Sequence, residues 1–292
     1  MPNPKLWLKT SLERLLLSSA CVTTELLQRG GDHEFEIIIP HRVNWPLLNA
    51  TLRAFDRLTT GNFGITVVVN FDEVPATWAG KGNPRVTLLR NRFTAFGALL
   101  RRVFSSENGS MSNALGIEQG LKAHPRIQWA FMAHSDSAPL VKGWNEIFFR
   151  AMGTGLIFGN TRDSIRMQAA HAAGTLFQAQ EFFRRGGTVW PLYRFGEMIR
   201  DVGDGATLAL HPEQAGPVPV LENNRQQPAL NARLSGTIAE FAENGSHISF
   251  EPGSDIPIFA HLGRGTPRSR GESQMAQKLP VDHWIDYLET LR

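Results

Sequence analysis

The chain has 292 residues, 30 of them basic and 27 acidic, for a formal charge of +3. That length suits one large α/β domain or two closely joined halves, and so even a balance of charge gives no argument for nucleic acid. A single cysteine, Cys21, excludes an internal disulfide and a cysteine-held zinc site, and no apolar run approaches a membrane span.

In chain order, residues 5–28 space Leu6, Leu8, Leu12, Leu15, Leu16, Leu17, Val22, Leu26 and Leu27 as an amphipathic helix, stopped by Gly30-Gly31. Lys9, Glu13 and Arg14 break its apolar stretch, so a signal peptide is not expected. Its apolar face can pack on the domain, on a second copy or on a membrane surface, although the Lys/Arg-rich polar face of an interfacial helix is missing. Phe35 to Ile39 then read as a strand buried on both faces, stopped by Pro40. Asn44 is the N-cap of a helix with Pro46 in its first turn, running to about Leu58. A second buried strand, Gly64 to Asn70, completes a βαβ unit and runs into Phe71-Asp72-Glu73. Arg85 to Asn91 make a third strand, followed by a long loop with Phe93, Phe96 and Phe104; a helix from about Asn108 to Lys122 comes next.

The fourth strand, Trp129 to Ala133, ends abruptly in His134-Ser135-Asp136 and Pro139. If strand geometry persists there, the imidazole and the carboxylate point the same way and can face one cation. The second half is less regular. Strands are expected at Gly155–Gly159, Thr207–His211 and Ile256–His261, a polar helix around Glu197, Arg200 and Asp201, an irregular excursion over 213–235, and a closing helix at 281–291. The expected class is α/β: a Rossmann-like, mostly parallel sheet flanked by helices.

This order of elements, over about residues 34–262, resembles a family 2 glycosyltransferase with the nucleotide-diphospho-sugar transferase (GT-A type) fold, a nucleotide-binding half fused to an acceptor-binding half. Ile37-Ile38-Ile39-Pro40 resembles the family's first strand, and Val67 to Asp72 its second strand and acidic turn. Asn108-Gly109-Ser110 with Ala114-Leu115-Gly116 resembles the glycine-rich approach to the fourth strand. His134-Ser135-Asp136 with Gly143-Trp144 resembles the metal-binding Asp-x-Asp motif, and Gly174 to Gly187 the segment before the catalytic acid. The chain departs from the pattern at His134, Asn70, the offset Asn113 and Glu197-Met198. The implied layout is an N-terminal helix over 1–31, a donor half over 32–142, an acceptor half over 143–262, and a basic loop with a closing helix over 263–292.

The resemblance implies transfer of a sugar from a nucleotide-diphosphate donor to a carbohydrate or glycoconjugate hydroxyl, inverting and assisted by Mn2+ or Mg2+. A hard cation neutralises charge on the diphosphate as the sugar bond breaks. Asp136 is the expected ligand and His261 reaches the same cation, with His211 its rival; His134 is either a ligand, favouring manganese over magnesium, or a hydrogen bonder beside it. By resemblance, Pro40, His41, Arg42, Asn70, Asp72 and Asn91 line the base and ribose pocket, with Gly109 and Ser135 beside the donor, and Arg90 is an alternative at the base edge. Arg264, with Arg268 and Arg270, can close over the diphosphate, since guanidinium pairs well with phosphate. Glu197 is the expected base, with Asp201 four residues on in reserve. Trp144 and Trp190 are candidate sugar platforms, or core residues. The expected location is the cytoplasm, with peripheral contact at the inner face of the membrane as an alternative. Competing readings are a degenerate transferase kept as a carbohydrate- or protein-binding module, and a sugar nucleotidyltransferase. The latter is disfavoured because no glycine-rich phosphate loop follows the first strand.

Overall fold

The computed structural model describes residues 15–103, 109–162, 169–191, 193–194, 197–198, 202–211, 215–263 and 281–291. A central sheet of seven strands forms its frame: β1 (Val22–Gln28), β2 (Phe35–His41), β3 (Phe63–Asn70), β4 (Val86–Phe93), β5 (Trp129–Met132), β7 (Ile157–Gly159) and β8 (Thr175–Gln178), in the order β1-β4-β3-β2-β5-β8-β7. The block β4-β3-β2-β5 is parallel, while β1, β8 and β7 add antiparallel strands at the two sides. The expected mostly parallel α/β sheet is therefore present.

Burial on both faces explains the apolar runs. Ile37, Ile38 and Ile39 in β2, and Val67, Val68 and Val69 in β3, are fully buried. On one face pack α1 (Trp45–Leu58) and α4 (Trp144–Met152), which bring Phe55, Trp144 and Phe148 onto Phe131. The cap of α1 is the expected one, since the Asn44 side chain accepts from the Leu47 N–H. On the other face lies α3 (Gly109–Ala123), whose Gly116 lets the helix touch the end of β2; a Cβ there would come 2.7 Å from Pro40 Cβ.

A second sheet, β11 (Glu222–Asn223), β12 (His247–Phe250), β13 (Pro257–His261) and β6 (Ser137–Pro139), lies beside the first in the order β11-β12-β13-β6. Its β6 leaves the end of β5 almost at once, so the chain after the fourth strand passes from one sheet to the other. Helices α7 (Gly236–Glu243) and α8 (Val281–Thr290) cover it with Phe241, Trp284 and Leu288, and α8 packs on α1 as well.

Four expectations are corrected. Residues 22–28 are the edge strand β1, not the end of a helix: Val22-Thr23-Thr24 are β-branched or hydroxylated, and antiparallel pairing with β4 supplies the backbone partners. Residues 5–14 lie outside the described residues. Within the segment expected as a loop after β4, α2 (Ala95–Val103) forms, with Thr94 Oγ1 accepting from the Gly97 N–H. Thr207–Leu210 belong to α6 (Asp204–Leu210), because the run starts from a left-handed Gly203 and continues helical hydrogen bonding to His211. Finally, Glu197-Met198 form strand β10, paired antiparallel with β9 (Tyr193–Arg194), rather than a helical turn. The remaining short helix, α5 (Ala179–Arg184), follows β8.

Candidate metal and donor site

The strands β2, β3 and β4 follow one another outward on one side, and the chain then returns to place β5 on the other side of β2. The gap between the carboxyl ends of β2 and β5 is thus a topological switch point, where open α/β sheets bind ligands. β2 delivers Pro40, His41 and Arg42 to that gap, and β5 delivers His134, Ser135 and Asp136.

His134 and Asp136 do not meet by strand alternation. β5 stops at Met132, and a tight turn closes with the Ser137 N–H on the His134 carbonyl. The turn is pinned from two sides, by Thr51 Oγ1 donating to the Ser135 carbonyl (2.8 Å) and by the Leu262 N–H donating to the Asp136 carbonyl (2.9 Å). Pairing of β6 with β13 sets Ser137 opposite His261. His134, Asp136 and His261 can each offer one ligand atom, all within 4.8 Å of one another. His261 Nε2 lies 3.4 Å from Asp136 Oδ1.

Two further histidines complete the cluster and were not singled out from the sequence. His247 begins β12 and stands in register opposite His261, their rings 5.3 Å apart. His171 precedes β8, with its ring 5.3 Å from His261, 5.9 Å from His134 and 6.1 Å from His247. The cluster therefore gathers four of the nine histidines of the chain. A signal for His247 exists in its polar-apolar alternation, His247-Ile248-Ser249-Phe250, shortly before the His261 strand. Burial, followed by its imidazole neighbours and Arg225, holds His171 well below the ordinary imidazole range. Burial, then His261 and Arg225, pushes His247 down to about 3 against an opposing pull from Asp136. Both rings are neutral at physiological pH, the form that binds metals.

The residues fit a cation. Nδ1 of His247 is buried without a hydrogen-bond partner, and such orphaned atoms are rare unless something else occupies them. Two donors about 2.1 Å from one ion stand about 3.4 Å apart at a tetrahedral angle, as His261 Nε2 and Asp136 Oδ1 do. His171 plays a different part. Its Nδ1 accepts from the Ala173 N–H, so in the neutral ring Nε2 carries the hydrogen and acts as a donor.

The side of the gap expected to hold the nucleotide is crowded. His41 is buried with both ring nitrogens unpartnered and its ring 4.8 Å from Trp45; burial lowers it to about 4, with Asp72 opposing. Asn70 and Asn91 are buried and bonded to each other, while Asn70 also donates to the Ser112 carbonyl and Asn91 accepts from Thr24. Asp72 accepts from the Val43 and Glu73 N–H groups and so shapes the turn after β3. The backbones of Val43 (φ 65°) and Phe71 (φ 60°) are left-handed, at the ends of β2 and β3. Strain of this kind in a β-branched residue costs energy and collects at ligand sites.

Other candidates go elsewhere. Arg90 is bound to Glu25 and Glu73, not turned to a base edge. Trp144 is fully buried and donates to Thr59 Oγ1, so it is core rather than a sugar platform. The partly exposed Trp190 packs on two core clusters. His211 bonds the Gly216 carbonyl at the end of α6. Gly109 opens α3. Asp201, Arg264, Arg268 and Arg270 lie outside the described residues, and for Glu197 only the backbone is described.

No protein-family model and no curated protein sequence matches the chain. Among solved structures it is similar to a mannosyltransferase from Pyrobaculum calidifontis in complex with GDP-Man and Mn2+, at 12% identity and a TM-score of 0.43, over 82% of this chain and 70% of the other. It is also similar to the glycosyltransferase GlyE of Streptococcus pneumoniae TIGR4, at 10% identity and a TM-score of 0.42, over 88% of this chain and 60% of the other. A third similarity is to a 4-diphosphocytidyl-2C-methyl-D-erythritol synthase, at 15% identity and a TM-score of 0.37, over 66% of this chain and 89% of the other.

Proposed function

We propose that the chain is a metal-assisted glycosyltransferase that moves a sugar from a nucleotide-diphosphate donor to a carbohydrate or glycoconjugate hydroxyl with inversion. One observation carries the reading: His134, Asp136 and His261 converge at the carboxyl end of β5, across the switch point from the strained end of β2. A divalent cation held there supplies positive charge to a diphosphate leaving group. Beside it, the unpartnered His41 imidazole and the Asp72-braced turn support assigning the nucleoside to this side of the gap. Asn70 and Asn91 act by holding the ends of β3 and β4 in place. His171, its Nδ1 taken by the Ala173 N–H, keeps an Nε2–H as a donor beside the cluster.

The base that removes the acceptor proton is assigned to Glu197, with Asp201 in reserve, and the basic segment carrying Arg264 covers the diphosphate. Glu197→Gln is expected to keep donor binding and lose at least about 100-fold in transfer, the scale of a positioned general base. Transfer at the wild-type rate removes Glu197 from that role. Donor binding without transfer or hydrolysis by the wild-type protein, over a broad acceptor panel, supports a carbohydrate-binding module in place of an enzyme. Release of pyrophosphate from a nucleoside triphosphate and a sugar phosphate identifies a nucleotidyltransferase.

A further inference from the structure

We propose that the cluster around Asp136 is a nitrogen-dominated centre that selects zinc or cobalt over manganese, rejects magnesium and keeps its ion without any nucleotide, with His247 as its fourth donor. This inference deepens the metal-assisted reading above and rests on it for location only. A cation site with one or two carboxylates relies on the diphosphate and water for most of its ligands. This chain offers a different set. His134 stands where an acid is expected, His261 and Asp136 approach to 3.4 Å, and His247 projects from the same face of the small sheet as His261 because the two are directly paired. His247 Nδ1 is buried and has no hydrogen-bond partner. Its ring lies 5.3 Å from that of His261 and 6.1 Å from that of His171, just outside the three residues whose ligand atoms lie within 4.8 Å of one another, so it would join the ion by turning about its side-chain bonds.

Three imidazoles and one carboxylate make a complete tetrahedral set. Imidazole donors suit zinc, cobalt and nickel, whereas magnesium needs oxygen ligands and retains its water. The buried surroundings strengthen the distinction, since a magnesium ion entering here would give up water for nitrogen. The donors come from separate parts of the chain: the turn after β5, the start of β12 and the end of β13. A bound ion would therefore tie the two sheets together and stabilise the fold by mass action.

The test uses the full chain, stripped with a chelator and desalted, without nucleotide. Zinc, cobalt, manganese and magnesium chlorides are titrated separately, and binding is read by calorimetry, thermal shift and, for cobalt, the visible absorption of a four-coordinate ion. Zinc and cobalt are expected to bind at least 100-fold more tightly than magnesium, to raise Tm and to survive desalting at one ion per chain. His247→Gln and His247→Phe, the latter keeping the ring packing, are expected to lose about 10- to 100-fold in zinc affinity and to change the cobalt spectrum. Magnesium binding as tight as zinc, or zinc affinity and cobalt spectrum unchanged in both variants, overturns the proposal. A parallel titration with nucleotide sugars separates the two readings. Selective zinc binding with no nucleotide-sugar binding leaves this inference standing and removes the transferase. Nucleotide-sugar binding that magnesium supports fully and His247 does not affect does the reverse.

Discussion

The two ends of the same parallel strands bury polar groups in opposite ways. At the amino end, Glu36 is fully buried in β2, and its carboxyl is held by Thr66 Oγ1 (2.6 Å), which in turn contacts His124 Nε2 (2.9 Å). A cavity of about 510 Å³ lined by Arg29, His33, His124 and Arg126, among others, opens nearby. At the carboxyl end, His134, Asp136, His171, His247 and His261 converge from separate segments, and nitrogens of His247 and His261 are left without partners. The amino-end groups are neighbours on adjoining elements, and although Glu36 Oε2 and His33 Nε2 also lack partners, burial there is met by Glu36 becoming neutral. Among the carboxyl-end groups, His134, Asp136 and His261 form a set that could hold a cation. On the proposed reading, substitutions at the amino end should change stability and those at the carboxyl end should change binding.

The largest effect is expected at Asp136. Asp136→Ala should reduce metal-dependent donor binding by more than 100-fold while leaving the far-ultraviolet circular dichroism of the metal-free protein unchanged; undiminished binding by calorimetry would move the site elsewhere. Next comes Glu36, which affects stability and not binding. Burial raises its pKa to about 8 despite the Thr66 hydrogen bond, so the folded chain holds a proton that the unfolded chain releases near 4.5. The associated stability is fully present below about pH 4.5 and is lost as pH rises through about 8. His41, His124, His171 and His247 are depressed, so their contributions disappear only as pH falls below the ordinary value of 6.5. Above about pH 7.5, where an unfolded imidazole is almost wholly neutral, the slope belongs to Glu36 among these groups, at up to about 1.4 kcal/mol per pH unit. Glu36→Gln should flatten that slope in urea unfolding and leave donor affinity within about twofold. A slope unchanged by the substitution would mean that Glu36 is ionised in the folded chain.

A smaller effect is expected where the carboxyl end stores strain. Val43→Gly should raise stability by about 1 kcal/mol, because glycine adopts φ 65° without cost, while weakening donor binding if the strained turn positions the nucleoside. A loss of stability would show that the 51%-exposed Val43 side chain contributes packing that outweighs the strain. The smallest belongs to Glu73, whose side chain is 82% exposed in its pairs with Arg90 and Arg92. Glu73→Ala should change stability by less than about 1 kcal/mol, and a larger loss would show that Arg90 depends on it beyond its second partner, Glu25.

The same contrast explains what the sequence made legible. The isoleucine and valine runs of β2 and β3, the Asn44 cap and the position of Asp136 follow from local pattern, and Asp136 and His261 both stand just beyond or at the ends of strands. β1 misleads because Leu26 and Leu27 continue a leucine spacing that also suits a helix, and only pairing with β4 decides it. Thr207–Leu210 alternates enough to resemble a strand, but Gly203 starts a helix. His171 lies in a run of alanines, and His247 heads a four-residue strand. His171 has no local property that distinguishes it from a core residue, and the alternation at His247 marks a strand but not a site. Their significance appears only when β12 pairs with β13 and the segment before β8 closes over them, which are contacts between distant parts of the chain. Three residues of the candidate cation site were legible in the sequence, while the two further histidines beside it came from the fold.

The most direct measurement is calorimetric titration of the metal-loaded chain, and of the chelator-stripped chain, with nucleoside diphosphate sugars covering each base. At least one donor is expected to bind with micromolar affinity to the loaded protein and at least tenfold more weakly to the stripped one. If no donor binds in either state, or one binds equally in both, the carboxyl-end cluster is not the seat of a metal–diphosphate complex.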